Sequence, residues 1–379
     1  MQDMLYLLLL FPILWPLVAR ALFRHSVTWQ EAGLNIGIVV VCLCAIWFGS
    51  IHAQTYAVEI WNGQITGKER NRVSCEHDYE CNCRTVKCGT DGKDTCRECD
   101  TCYEHSFDYN WDVHTNVGDF RIPRIDRQGK NEPPRWTQVQ PGQPAAIEHP
   151  YTNYLQAVPD SLYNQSDLHL EGLPPVPAYP RVYDYHYANR VLAVDVGVPD
   201  IRDWNQNLAL MLRALGPQKE ANIIIIIVNT PDRNYRHKVE AEWIGGNKND
   251  VVVFLGIQQH EHHADIVWTD VMTWALNKGN ELFQVQLRDA LADSHELDRM
   301  TVLTTIEKHV RESYSRPHMS DFEYLKKSIQ PPFWVIMLCA LFSVFGSMAL
   351  TWFFYNYEVD LFAPRGQKIR PRGYSNRWR

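Results

Sequence analysis

The chain has 379 residues, of which 45% are hydrophobic and 21% are charged, and its formal net charge is −7. The charge is unevenly spread: residues 1–52 are neutral and the tail from residue 355 carries +4, which leaves −11 for residues 53–354. An acidic body excludes a nucleic-acid-binding protein built on a basic surface. It also makes a purely cytosolic globule improbable, because body and tail of opposite charge indicate two aqueous compartments.

Apolar segments predict two or three transmembrane helices. Phe333 to Tyr355 is a run of 23 residues without a charge, and about 20 helical residues cross a hydrocarbon layer of ~30 Å. Leu34 to Ile51 lies inside a second charge-free run. The first segment, residues 5–19, contains Pro12 and Pro16. We interpret it as a third, kinked span, with a re-entrant segment or a signal-peptide-like segment as the alternatives.

The positions of Lys and Arg predict how these spans are oriented. Arg20 and Arg24 separate the first two segments, and six basic residues follow the last one. Because positively charged loops are retained in the cytoplasm, we expect a cytoplasmic C-terminus and an exported segment over residues 53–331. In a Gram-negative cell this protein would be a multi-pass protein of the inner (cytoplasmic) membrane with a periplasmic body, and its basic tail would contact anionic membrane lipid.

The exported part divides by pattern into two regions. Short strand-like pieces, including residues 109–114, 119–125 and 137–139, indicate a small β-rich module. Longer apolar strands alternate with helices after residue 182, which is typical of an α/β sandwich with a largely parallel central sheet. In that part, Gly216-Pro217 is expected to end the helix that begins near Asp200.

The predicted organisation is an N-terminal hydrophobic segment and cytoplasmic loop (1–30), a transmembrane helix (31–52), a β-rich module with a cysteine cluster at 75–105 (53–165), a Pro-rich linker (166–181), an α/β domain (182–330), a transmembrane helix (333–355) and a basic cytoplasmic tail (356–379).

Residues 221–257, with the runs ANIIIIIVN and YRHKVEAEWIGGNKNDVVVFLGI, resemble the TPM domain family. The resemblance covers about 190–316. It implies a TPM-like α/β sandwich that is exported and tethered by a C-terminal transmembrane helix. The family's basic strand and following Gly-rich turn have no counterpart after residue 257, so no active-site residue is carried over. The whole chain also resembles an uncharacterised membrane protein of tailed bacteriophages, which implies a location in the host inner membrane.

Seven of the ten cysteines fall within 28 residues, and two interpretations of this cluster remain open. The first is two structural zinc ions, because thiolate and imidazole at short spacing suit tetrahedral Zn²⁺. The second is a set of disulfides, which leaves an odd thiol that is free or links two copies of the chain into a homo-oligomer. The candidate ligands are Cys75, Cys81, Cys83, Cys88, Cys96, Cys99, Cys102 and His105.

A second candidate metal site follows the strand at residues 250–257. His260, His262 and His263 lie at that strand's end, and Asp195 and Asp200 could bind a cation at the start of a helix. A solvated loop explains the histidines, and a helix N-cap explains Asp200, equally simply.

No catalytic arrangement is complete, so we assign no catalytic residue and expect no cofactor beyond zinc. The sequence favours a binding, accessory or envelope-modifying protein with an envelope protein as partner. The alternatives are a metal-dependent phosphohydrolase with Asp195, Asp200 or His260 near its centre, and a scaffold in which a cysteine links two copies.

Overall fold

A computed structural model describes residues 2–23, 26–88, 94–158, 171–243, 246–260, 264–275, 279–359 and 369–371. The protein is mixed α/β, with several sheets, a disulfide-rich hairpin and three long apolar helical segments. The chain divides into two units. Unit 1 comprises Met1–Ala57, Tyr151–Ser166 and His318–Arg379, and unit 2 comprises Val58–Pro150 and Asp167–Pro317.

The elements of the first half are, in chain order, α1 (Gln2–Leu22), α2 (Trp29–Thr55), β1 (Tyr56–Val73), β2 (Asp78–Cys88), β3 (Asp94–Tyr103), β4 (Asp108–Thr115), β5 (Phe120–Ile122), α3 (Pro134–Gln138), β6 (Pro144–Thr152), β7 (Val182–Tyr183) and β8 (Tyr187–Ala188). Those of the second half are β9 (Val191–Val194), α4 (Ile201–Lys219), β10 (Asn222–Val228), α5 (Tyr235–Glu242), β11 (Asp250–Gln259), β12 (Ala264–Met272), α6 (Asn280–Ala292), α7 (Arg299–Ser313), a 3-10 segment (Met319–Ser328), α8 (Phe333–Leu341), a π turn (Phe342–Gly346), α9 (Ser347–Asn356), β13 (Tyr357–Val359) and β14 (Ile369–Pro371).

Unit 1 contains three helical segments that are long and apolar enough to cross a membrane: Met4–Leu22, Trp29–Thr55 and Phe333–Asn356. The three predicted apolar segments are therefore confirmed by length and composition. The first is helical through Pro12 and Pro16. Proline is tolerated inside apolar helices of this kind because neighbouring groups can satisfy the backbone carbonyls that it leaves free.

Polar side chains connect these helices where little or no water reaches. Asn35 on α2 donates from Nδ2 to the Ser347 carbonyl (3.0 Å) and to Thr351 Oγ1 (3.1 Å). Trp15 donates to the same Thr351 hydroxyl (3.1 Å). Beside them, Val39, Leu43, Val335 and Cys339 form a buried apolar cluster. Interhelical hydrogen bonds of this kind are a usual source of association between membrane helices, since lipid removes the hydrophobic driving force.

The first sheet of unit 2 has the strand order β5-β4-β1-β6. β1 is a single strand of 18 residues, and β4 pairs with it antiparallel, so that Val73 lies opposite Asp108. Ile65, Trp111 and Val113 form its apolar core with Trp136. The strand predicted at 137–139 is wrong: those residues end or follow the short helix α3, which begins at Pro134 because a Pro is well accommodated in the first helical turn.

The α/β part of unit 2 is built on the sheet β12-β11-β10-β9. β9, β10 and β11 are parallel, and β12 pairs antiparallel with β11. All seven residues of β10 are buried, as a continuous run of β-branched residues predicts. Helices α4, α6 and α7 contribute the rest of the core. The sequence did not predict β12, because its polar residues interrupt the apolar alternation.

Helix α4 does not end at Gly216-Pro217 as predicted but continues to Lys219. Gly216 is buried, and a Cβ atom at this position would overlap the carbonyl group of Asn62 on β1. The glycine therefore permits a close approach of helix and strand rather than a helix stop.

The described part of the Pro-rich segment lies along helix α5. Tyr235 donates to the Pro175 carbonyl (2.9 Å), and Lys238 donates to the carbonyls of Leu173 (3.0 Å) and Pro174 (2.9 Å). Trp243 donates to the Pro177 carbonyl (2.9 Å). These bonds satisfy backbone carbonyls of a segment that is not part of a strand or helix.

Candidate metal centre

Six of the seven clustered cysteines form disulfides across the antiparallel hairpin of β2 and β3. Separations of 21, 16 and 8 residues make the three bridges nested, because the ladder places early and late cysteines opposite one another. The pairs are Cys81–Cys102, Cys83–Cys99 and Cys88–Cys96. The arrangement with two zinc ions is therefore not formed by these sulfurs, and Cys75 is the one cysteine of the cluster with a free thiol.

Cys75 belongs to a second group of potential ligands at the base of the hairpin. It lies with His77, His105 and Asp108, and one ligand atom of each residue lies within 4.8 Å of the others. Cys75 and Asp108 are buried, and the two imidazoles are half-buried. This group uses two of the eight residues predicted as ligands, Cys75 and His105, and adds two others.

The spacing of these atoms matches the edges of a coordination tetrahedron. Sγ of Cys75 lies 3.7 Å from Nδ1 of His105, which in turn lies 3.3 Å from Oδ1 of Asp108. Nδ1 of His77 lies 3.4 Å from Oδ2 of Asp108. Atoms bound at about 2.0–2.3 Å to a tetrahedral ion lie roughly 3.3–3.6 Å from one another. Three separations within this group are therefore close to tetrahedral edges, and the two that involve Asp108 end on different carboxylate oxygens.

Two β ladders meet at this group and hold the ligands in register. Val73 and Asp108 form the last pair of the β1–β4 ladder, and Asp78 and Tyr103 form the first pair of the β2–β3 ladder. Between them, the Glu104 N–H donates to the His77 carbonyl (3.0 Å). Cys75, His77 and His105 thus lie on the two short connections that join the disulfide hairpin to the first sheet, and Asp108 is the first residue of β4.

Neighbouring groups orient the Asp108 carboxylate. Its Oδ2 accepts hydrogen bonds from the Glu76 N–H (3.2 Å) and from Arg124 Nη1 (3.0 Å). Burial raises the pKa of Asp108, but the Glu76 N–H, Arg124 and the two imidazoles outweigh it and hold that pKa below its ordinary value. The carboxylate is therefore ionised, and its orientation leaves Oδ1 available. Groups that do not themselves bind a metal commonly orient a metal ligand in this way.

Two atoms of the group are buried without a hydrogen bond in the described part of the chain, Oδ1 of Asp108 and Nδ1 of His77. Leaving such atoms unpaired costs free energy that a bound cation would recover. The backbone N–H of His77 also donates to Cys75 Sγ (3.4 Å), and this sulfur lies 3.6 Å from the His77 carbonyl oxygen.

Cys83 and Cys99 lie near Glu80, but their sulfurs are joined in a disulfide, and the residues of the second predicted site form no such group among the described residues. His260 Nε2 lies 3.3 Å from Asp265 Oδ2, which is an exposed ion pair. Asp195 and Asp200 each adopt a left-handed backbone conformation, and Asp200 occupies the N-cap position of α4 without a side-chain capping bond. His262 and His263 lie outside the described residues.

His77 and Asp108 were not predicted as ligands from the sequence. Both stand close to a predicted ligand, in the pairs Cys75-x-His77 and His105-x2-Asp108. The signal that could have identified them is that one pair of potential ligands directly precedes the hairpin and the other directly follows it. It becomes visible only when the cysteines between them are assigned to disulfides.

No family model matches the chain, and neither a curated protein nor a solved structure shows detectable similarity to it.

Proposed function

We propose that the protein is a membrane-anchored binding protein whose exported part is stabilised by three disulfides and one structural zinc ion. The ligands are Cys75, His77, His105 and Asp108. The observation that carries the proposal is that the four residues place one ligand atom each within 4.8 Å of the others, with three measured separations of 3.3–3.7 Å that are close to the edges of a tetrahedron.

The donor types favour zinc over other ions. One thiolate, two imidazoles and one carboxylate are all preferred by Zn²⁺, whereas Ca²⁺ and Mg²⁺ select oxygen ligands. Four protein ligands leave no open position for a substrate, so the ion has a structural role. It would fix the hairpin to the first sheet.

The three disulfides and the three apolar helices together support an exported location for unit 2. Disulfides persist in oxidising compartments, and the periplasm is such a compartment. We place the chain in the inner membrane, in the host's inner membrane if a phage encodes it, with residues 53–331 periplasmic and an envelope protein as its partner. The parallel strands β9, β10 and β11, covered by helices, support a TPM-like domain in that position.

Metal analysis of the full-length protein tests the proposal. Protein purified in detergent and dialysed against metal-free buffer should retain about one zinc per chain. Cys75→Ser should lose the ion, and so should His105→Ala. After replacement of zinc by Co²⁺, the wild-type protein should show a thiolate-to-cobalt charge-transfer band that Cys75→Ser lacks.

His114→Gln is the matched control, because His114 lies on β4 of the same sheet and pairs with Asp119 (2.9 Å) rather than with the metal ligands. It should keep the zinc. Wild-type protein that holds no metal, or Cys75→Ser protein that keeps a full equivalent, would contradict the zinc centre. Turnover of phosphate esters that disappears in Asp195→Ala or His260→Ala would favour the phosphohydrolase instead.

A further inference from the structure

Unit 2 has a groove of about 1120 Å³ between helix α4, strand β9 and the segment 141–146. Its lining includes Arg190, Arg202 and Arg213 but no Asp or Glu among the described residues. This composition differs from that of the acidic exported body, which carries −11 over residues 53–354. A cleft lined by one sign of charge concentrates ligands of the opposite sign.

One wall of the groove is the side chain of His186. Only 2% of this residue is exposed, and neither ring nitrogen makes a hydrogen bond within the described structure. The ring is stacked on Phe120 (5.3 Å between centroids) and lies against Tyr187 (4.1 Å). Burial, aided by the charge of Arg135, lowers the pKa of His186 to about 4, so the ring is neutral near pH 7 and offers one donor and one acceptor.

The floor of the groove is an edge strand with a free backbone position. β9 pairs with β10 on one side only, and the Ile225 N–H and Asn229 N–H donate to the carbonyls of Arg190 and Val194. In a parallel strand, the backbone N–H and C=O of one residue point to one edge of the strand, and those of the next residue point to the other edge. The backbone groups of Val191 point to the groove and are bonded to the Asn205 side chain. The Val191 N–H donates to Asn205 Oδ1 (3.0 Å), and Asn205 Nδ2 donates to the Val191 carbonyl (3.3 Å). The backbone groups of Ala193 point to the same edge, and this residue is exposed.

Helix α4 presents a regular face along this edge. Arg202, Gln206, Ala209 and Arg213 line the groove at helical spacing. The two arginines are 11 positions apart, which is about 16 Å along a helix. This length corresponds to about five residues of extended chain. The small Ala209 between them leaves room for such a chain.

We propose that this groove binds an extended acidic peptide segment of a partner protein. Its carboxylates meet Arg202 and Arg213, its backbone pairs with Ala193 at the edge of β9, and its polar groups satisfy His186. Addition of a strand at a sheet edge is a common mode of peptide recognition. The inference rests on the binding role proposed above and is independent of the zinc ion.

Fluorescence anisotropy on the full-length protein in detergent tests the groove. The probes are labelled hexapeptides in which Asp or Glu alternates with Val or Tyr, and the same peptides with Asn or Gln replacing the acids. The acidic set should bind about tenfold more tightly, and Arg202→Glu should weaken its binding by about tenfold. Lys308→Glu, an equal charge change at an exposed position on α7 outside the groove, should leave binding unchanged.

His186→Phe keeps the stacked ring and removes both nitrogens. It should weaken acidic-peptide binding by several-fold without lowering the melting temperature, whereas a purely structural role would leave affinity untouched. Equal binding of acidic and amide peptides would overturn the proposal. So would an equal loss in Lys308→Glu, or displacement of the peptides by an acidic oligosaccharide at lower concentration. Zinc content is measured on the same samples: zinc without peptide binding contradicts only the groove, and peptide binding without zinc contradicts only the metal centre.

Discussion

Asp250 shows how a single residue couples the stability of unit 2 to pH. It is fully buried at the start of β11 and accepts hydrogen bonds from Asn222 Nδ2 (2.8 Å), Tyr179 Oη (2.9 Å) and the Asn247 N–H (3.2 Å). Burial raises the pKa of Asp250 to about 7, although these donors counteract the rise. An unfolded Asp has a pKa of about 3.9. At a pH between these two pKa values, Asp250 is therefore mostly protonated in the folded state and mostly ionised in the unfolded state.

The sign of the pH effect follows from this difference. Because the folded state binds more protons between about pH 4 and 7, the free energy of unfolding should fall as the pH rises through that window, by at most about 1.4 kcal/mol per pH unit. Asp250→Asn cannot titrate and should remove this contribution. Urea unfolding at a series of pH values measures the slope for both proteins, whatever the absolute stability of the variant.

Asp289→Asn serves as the control for that series. Asp289 is an exposed carboxylate on α6 that pairs with its neighbour Arg288. Removing it should leave the slope of the wild-type protein intact. If Asp250→Asn also keeps the wild-type slope between pH 4 and 7, another group is responsible for it.

At the scale of elements, the β2–β3 hairpin depends on its disulfides rather than on packing. Most of its described side chains are exposed, so the two strands have no apolar core of their own. Two-stranded hairpins without a core are marginal in water. The Cys83–Cys99 bridge closes a separation of 16 residues, for which loop-closure entropy gives about 3 kcal/mol in a chain without other cross-links and less between the two flanking bridges.

Replacing both Cys83 and Cys99 by Ser should therefore open the hairpin locally. We expect faster amide hydrogen exchange in β2 and β3, with exchange in the buried strand β10 unchanged. Hydrogen exchange resolved by mass spectrometry measures both regions in one experiment. Cys42→Ser/Cys44→Ser removes two cysteines that are free and lie on α2, and it should leave the hairpin protected. Equal protection of the hairpin with and without the Cys83–Cys99 bridge would show that other contacts hold it.

At the scale of the whole molecule, three spans predict which parts of the chain share a compartment. Arg20 and the basic tail should be cytoplasmic, and the N-terminus should lie on the same side as residues 53–331. A reporter that is active only in an oxidising compartment should be active when fused after residue 60 and inactive after residue 379.

An N-terminal epitope tag examines the first span separately. If residues 4–22 cross the membrane, the tag should be accessible to antibody from the periplasmic side in cells with an opened outer membrane. A tag protected from antibody, together with an active reporter after residue 60, would leave two spans instead of three. The orientation of the exported part would be unaffected.

Local composition was sufficient for much of the architecture. The three apolar helices and the buried strands β10 and β11 were predicted because an unbroken apolar run has few ways to leave water. The same reasoning failed for α4 at Gly216 and for the residues after Trp136, where a neighbouring strand or a Pro-initiated helical turn decided the backbone. β12 was missed because its polar residues conceal a strand that pairs on only one side.

The candidate metal site was only half predictable. Spacing predicted Cys75 and His105 as ligands, but it could not separate them from six cysteines that were predicted with them. The antiparallel register of β2 and β3 made that separation, because it placed those six sulfurs within bonding distance and brought the two connections around the hairpin together. Hydrophobic burial depends on which residues are present in a segment, so the sequence alone determined the three long apolar helices and the buried strands. Coordination depends on which side chains lie close together in space, so only the tertiary structure showed that His77 and Asp108 lie beside Cys75 and His105.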